Sequence, residues 1–391
     1  MTLAQSPLRI GIIVGEVSGD ALGAKLIPAL RNRFGTRPLE FCGVAGSAMK
    51  QLGFPSLFLL EDIAVMGIVP VIKRLPSLLR RIAETADALI AFQPDILIII
   101  DSPDFTHRVA KRVRRAMPDL PVVDYVSPSV WAWRPGRAKA MRGYINHVLA
   151  ILPFEPDAHE RLGGPACSYV GHPLIERLDI LQPNDVDLTR RHQPPPCIVV
   201  LPGSRRSEIQ RLMPIFRDTI RLLARRSDKP LEFVLPVVDH VRPMIESALA
   251  DWPIKPKLLF GEAEKFAAFR RATAALAASG TVTLELALAH VPMAVGYRVG
   301  AIEGQIRHFI HVPSIVLANL IIGENVIPER IQSACNPENL VADLLPLLSD
   351  TAQRQKQLSG FEKLGQLMAI GPTSPSQKAA DIIAGLLSDT Q

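Results

Sequence analysis

The run LPGSRRSE at 201–208 gathers a glycine-bearing turn, hydroxyls and paired arginines in eight residues. It follows the apolar run 197–201 and opens the amphipathic run 209–223. Strand, short turn and helix in that order aim free backbone N–H groups at an anion. Arginine adds a two-pronged grip on phosphate oxygens. Gly203, Ser204 and Arg205 are therefore candidate phosphate-binding residues. A second helix start of the same kind follows the apolar run 274–278 at Ser279, Gly280 and Thr281. One turn inside it, Glu285 could accept hydrogen bonds from two neighbouring hydroxyls, as on a ribose. Taken alone, a solvated helix glutamate is the plainer reading.

The N-terminal half offers carboxylates instead. GEVSGD at 15–20 follows an apolar run and precedes a helical one, without the G-x-G-x-x-G spacing of a dinucleotide fingerprint. Glu16 and Asp20 would repel a phosphate at that helix start and suit a hydroxyl-bearing partner. Capping by Ser18 or Asp20 is an equal alternative. DSPDF at 101–105 follows the run 95–100, so Asp101 and Asp104 sit where open α/β sheets bind ligands, outside the carboxyl ends of strands. A carboxylate there can take a proton from an attacking hydroxyl; a turn-capping aspartate is the alternative. The loop 125–134 holds Ser127, Trp131 and Trp133, and reads as a pocket wall, with core tryptophans as the plainer alternative. Asn319 and the run 323–330 indicate a polar loop and nothing sharper.

The elements that must position these residues alternate. Strands are expected at 8–14, 41–45, 95–100, 121–126, 147–152, 197–201, 231–237, 257–260, 274–278 and 293–298, with helices between them and only helices from 341 on. Continuous apolar strands call for parallel sheets covered on both faces. The Pro-rich passage 176–196 is the best linker. The fold class expected is α/β: two Rossmann-like domains with parallel sheets and a helical C-terminus. The domains are expected at 1–180 and 181–345. Helices at 346–391 would pack back on the first domain or on a partner chain.

A chain of 391 residues suits two domains, and 48% hydrophobic with 21% charged residues can build two cores. The net charge of +6 suits nucleic acid, an anionic membrane or anionic small substrates. Only 5% of residues are aromatic and no block of five basic residues occurs, so nucleic acid is not expected. Four scattered cysteines give no metal-ligand spacing and no disulfide framework, and no metal is expected. The N-terminus reads as a lead into a strand, and no run is long and apolar enough to span a bilayer. The segment 63–82 joins an apolar stretch (Met66, Ile68, Val69) to Lys73, Arg74, Arg80 and Arg81. That suits lying on an anionic bilayer. A buried core helix is the competing reading, weakened by Pro70 and Pro76.

Taken in order from residue 8 to about 335, these runs resemble the lipid-A-disaccharide synthase family, two-domain glycosyltransferases of the GT-B type with a cleft between the domains. The resemblance rests on GEVSGD at 15–20, AVMG at 64–67, DSPDF at 101–105, YVSPSVWAW at 125–133, LPFE at 152–155, Gly171-His172, LPGSR at 201–205, ASGT at 278–281 with Glu285, GYR at 296–298, and Asn319 with Pro328-Glu329. The chain departs from the family pattern at Ala318 and at Glu324-Asn325. The resemblance implies transfer of diacylglucosamine from UDP-2,3-diacylglucosamine to the 6-hydroxyl of 2,3-diacylglucosamine 1-phosphate, with inversion and no cofactor. It implies Asp101 as base, with Glu16 and Asp20 beside it. Ser18, Asp104, Ser127 and Trp131 would line the acceptor side. Gly203, Ser204, Arg205, Ser279, Gly280, Thr281, Glu285 and Asn319 would hold UDP. It also implies a peripheral position on the inner face of a Gram-negative cell membrane, and leaves homo-oligomers open. The alternative on the same fold is another UDP-sugar enzyme, an epimerase or a glycosyltransferase with a different acceptor.

Overall fold

Apolar runs without polar alternation need cover on both faces, and this chain builds two sheets that way. The computed structural model describes residues 6–63, 68–191, 193–300 and 312–388, leaving out the side chains of 68–74. The chain divides into two compact units: Met1–Pro173 with Ile370–Gln391, and Leu174–Ala369.

The first unit holds β1 (Leu8–Val14), β2 (Leu39–Val44), β3 (Ile96–Ile100), β4 (Val122–Tyr125), β5 (His147–Ala150) and β6 (Ala166–Tyr169). They form one sheet in the order β2-β1-β3-β4-β5-β6, parallel throughout. Every side chain of β3 is buried, as its sequence ILIII requires. The direction of winding reverses between β1 and β3, whose register pairs Val14 with Ile100. The loops leaving these two strands therefore meet at the switch point, where such sheets bind ligands.

The second unit holds β7 (Cys197–Leu201), β8 (Glu232–Val237), β9 (Lys257–Phe260), β10 (Ala274–Ala277), β11 (Met293–Tyr297) and β12 (Glu329–Ile331). The order is β12-β11-β10-β7-β8-β9, again all parallel. Here the switch point lies between β7 and β10, paired Leu201 to Ala277.

Among the described residues, ten of the twelve strands fall where the apolar runs place them. β6 and β12 were not expected; both are short edge strands whose residues are largely half-buried, so they carry no continuous apolar run. The passage 176–196 is not an open linker. It contains a 3-10 turn at Pro173–Arg177 and helices Leu178–Leu181 and Asp185–Arg191. Its Arg191 is buried and donates to the carbonyls of Phe269, Arg270, Ala289 and His290. A guanidinium that caps carbonyls at two helix ends anchors this passage into the second unit.

The segment read as a membrane patch is a helix, Ile68–Phe92, which carries Pro76 inside it. Pro70 falls in its first turn, where a missing N–H leaves no bond unmade. Met66 lies outside the described residues, as do the side chains of Ile68, Val69, Lys73 and Arg74. Further along the helix, Leu75 and Leu79 are exposed at 43% and 49%. Arg80 is exposed beside Glu84, whereas Arg81 turns inward to Asp62 and Glu84 and over the ring of Phe58. The last helix, Pro375–Ser388, packs on Val17–Phe34: Ala379, Ala380 and Ile383 join the first unit's core, and Arg33 pairs with Asp381 at 2.9 Å.

Candidate active site

At the first switch point, Asp101 and Ser102 both take left-handed backbone conformations, φ 57° and 48°. Non-glycine residues there are strained, and such strain persists where surrounding structure fixes it. The carbonyl of Tyr125 takes the Asp101 N–H at 3.1 Å, and Thr106 donates its hydroxyl to the Asp101 carbonyl at 2.7 Å. The side chain is fixed too: Ser18 donates to Oδ2 at 3.0 Å and the Ser102 N–H to Oδ1 at 2.7 Å. Gly15 permits this approach, because a Cβ on it would collide with that of Ser102. Ser18 and Asp101, expected together, are brought together, and Glu16 is exposed beside them.

Other N-terminal expectations need correction. Asp20 is buried, and its carboxylate accepts the N–H groups of Gly46, Ala48 and Met49 at 2.8, 2.8 and 3.2 Å. It caps the helix Ser47–Gln51 rather than facing a substrate. Asp104, by contrast, stays open to an acceptor, its side chain 86% exposed with Arg137 at 3.5 Å. Ser127 is buried, with the ring of His159 at 2.8 Å and the Pro128 carbonyl at 3.0 Å. Trp131 donates its indole N–H to Glu155 and meets Phe154 edge-on. Glu155 also accepts the Leu152 N–H at 3.0 Å, and its deep burial pushes its carboxyl up to about 7. Ser127 and Trp131 therefore brace the loop from within, while Trp133 beside them is exposed, with Arg134 over its ring at 4.2 Å. His159 and Glu155 lie over twenty residues downstream of the loop they hold; the LPFE run marked Glu155 without its partner, and nothing local marked His159.

At the second switch point, Gly203, Ser204, Arg205, Ser279, Gly280, Thr281 and Glu285 line one cavity of about 540 Å³. The loop after β7 is organised by Glu208, in the first turn of the helix Arg206–Arg226. Its Oε2 takes the N–H groups of Ser204 and Arg205, both at 3.2 Å. Its Oε1 accepts from the Tyr297 hydroxyl and the Arg205 guanidinium. Gly203 has φ 105°, and a Cβ on it would stand 2.5 Å from the Glu208 carboxylate. This corrects the expectation from the helix start: its own glutamate occupies the N–H groups expected to meet phosphate. The Arg205 guanidinium remains reachable, with its side chain 65% exposed.

The helix Thr281–Leu288 behaves differently. It has no acidic residue in its first turn and no side-chain cap, so its leading N–H groups and the positive end of its dipole face the cavity. Glu285 is held by Lys265, whose ammonium sits 3.0 and 2.8 Å from its two oxygens. Lys265 was missed because it belongs to another helix, Gly261–Arg271. Asn319 does not line the cavity. It is buried, its amide donating to the Ile327 carbonyl and Glu329 and accepting from the N–H groups of Val326 and Ile327.

A cavity of about 660 Å³ lies at the other end of the same strands, lined by Arg191, Thr273 and Arg354. Its arginines are largely committed to main-chain carbonyls, and we assign it no chemistry. Among the described residues no group of three or more His, Cys, Asp or Glu could hold a metal. Nor, among them, is any helix long and apolar enough to cross a membrane.

The fold matches solved structures along its whole length. CalG4, the calicheamicin glycosyltransferase, superposes with a TM-score of 0.56 at 15% identity, covering 98% of this chain and 99% of that one. MurG of Acinetobacter baumannii gives 0.58 at 15% identity over 97% and 100% of the two chains. The UDP-GlcNAc 2-epimerase of Neisseria meningitidis gives 0.58 at 13% identity over 98% and 100%. Two units, each built on a parallel sheet with polar residues at its switch point, thus define a protein of GT-B architecture. The family described as lipid-A-disaccharide synthetase matches residues 10–383. Lipid-A-disaccharide synthases of Nitrobacter hamburgensis and Rhodopseudomonas palustris are each 54% identical, over 98% and 97% of this chain and 96% of theirs. The chain belongs to the lipid-A-disaccharide synthase family.

Proposed function

We propose that this protein transfers 2,3-diacylglucosamine from its UDP derivative to the 6-hydroxyl of 2,3-diacylglucosamine 1-phosphate, giving the β-1,6-linked disaccharide 1-phosphate and UDP. Membership of the family over nearly the whole chain carries this reading. The second unit holds the donor nucleotide. Glu285, braced by Lys265, accepts the ribose hydroxyls. The Arg205 guanidinium and the start of the helix Thr281–Leu288 meet the diphosphate, whose charge grows as the bond to the sugar breaks. The first unit supplies Asp101, which takes the proton from the acceptor's 6-hydroxyl as its oxygen attacks the anomeric carbon. One displacement inverts that carbon and releases UDP.

Both sugars carry acyl chains, so the enzyme works at a lipid surface, on the inner face of the cell membrane. The helix Ile68–Phe92, with exposed Leu75, Leu79 and Arg80, supports that contact. The test is incubation with both substrates and mass analysis for the disaccharide. The expected result is product with both sugars and no change to the UDP-sugar alone. Conversion without acceptor would identify an epimerase and overturn the reading.

A further inference from the structure

The Ser279–Thr281 end of the nucleotide cavity is held from behind by a chain of hydrogen bonds. Ser279 donates its hydroxyl to the Ile315 carbonyl at 2.7 Å. The Ile315 N–H donates to Oε2 of Glu329 at 2.8 Å. On Oε1, Glu329 accepts from the Ser314 hydroxyl and from the Asn319 amide, the latter at 3.2 Å. Glu329 itself is fixed by the sheet: it opens β12 and stands in register with Val295 of β11. Ser314 and Asn319 are buried, 4% and 2% exposed. Three donors therefore converge on one carboxylate; the Ser314 hydroxyl has the Val316 carbonyl at 3.3 Å as an alternative acceptor, but the Ile315 N–H and the Asn319 amide nitrogen can only donate. A carboxylate accepts from both of these fixed donors, whereas an amide at this position would turn its N–H₂ toward one of them.

We propose that Glu329 is a positioning residue for donor binding, acting through Ile315 on Ser279 to fix the loop that meets the nucleotide's diphosphate. This rests on reading the cavity at the second switch point as the nucleotide site. Glu329 touches no substrate; it sets the aim of groups that do. The same chain of bonds gives Asn319 a role that its position outside the cavity otherwise withholds.

A double-mutant cycle on UDP binding and steady-state kinetics tests this, using the full chain with wild type, Glu329→Gln, Ser279→Ala and the double variant. Either single change is expected to raise the UDP Kd and the donor KM about tenfold, equivalent to ~1.4 kcal/mol. The acceptor KM is expected to hold. The double variant is expected to bind UDP no worse than the weaker single, because both changes cut one path. Glu329→Asp, which keeps the charge, should recover part of the loss. Additive effects would overturn the proposal, as would wild-type UDP affinity in Glu329→Gln. Should Glu329→Gln fail to fold, Ser279→Ala with wild-type UDP affinity would overturn it equally. If the wild-type chain binds no UDP, the reading of the site itself falls.

Discussion

At the scale of single residues, Asp101 is fixed by two neighbours and by a strained backbone, so its role can be separated from its structure. Asp101→Asn keeps an oxygen for one of the two donors and removes the basic group. Turnover is expected to fall by a factor of about 10² to 10⁴, with UDP affinity held by the other unit. Retained turnover in calorimetrically competent enzyme would remove the base assignment. Glu155 makes a prediction of a different kind. Burial raises its folded-state carboxyl to about 7 from an ordinary 4.5. Its contribution is fully present below the unfolded value and is lost as pH rises through the folded one, at a cost of about 3 kcal/mol. Burial takes His172 the other way, down to about 4, so its contribution is present above its unfolded value and fades as pH falls. The two slopes oppose one another in the wild type. Glu155→Gln should leave the His172 slope alone, and denaturant titrations should then show stability rising between pH 4 and 6.5. A flat or falling profile would refute these opposed slopes.

Elements explain which of these residues the sequence exposes to a reader. A site at a switch point consists of short loops next to their strands, so GEVSGD, DSPDF, LPGSR and ASGT announce themselves by following apolar runs. Which group each loop side chain meets is not written locally. Asp20 looks like a partner for Asp101, yet it caps a helix 26 residues on. Arg205 and Ser204 look like a plain phosphate loop, yet the buried Glu208 has already taken their N–H groups. Lys265, Glu155 and Glu329 reach their partners across the fold, beyond any periodicity. The helix Ile68–Phe92 shows the same limit, since two prolines argued against a helix that forms around them. Its exposed Leu75 and Leu79 predict a surface function. Changing both to Ser should lower binding to vesicles of anionic phospholipid in flotation assays, with the melting temperature held within about 2 °C. Wild-type flotation would detach this helix from the membrane.

On the scale of the whole molecule, the alternation of apolar runs was enough to give two parallel sheets, because buried strands have to be continuous. The course of the chain's last stretch was not legible, since helices carry no address for the surface they will cover. That stretch has a consequence for how the protein comes to exist. The first unit is completed by Ile370–Gln391, so a nascent chain leaving the ribosome cannot close its opening half until that stretch has been made. The later-made half, by contrast, has all its described strands as soon as Ile331 emerges. The second unit extends to Ala369, so the half made first is the last to be completed. A stop codon near residue 370 would damage the half of the protein made first, where Asp101 resides.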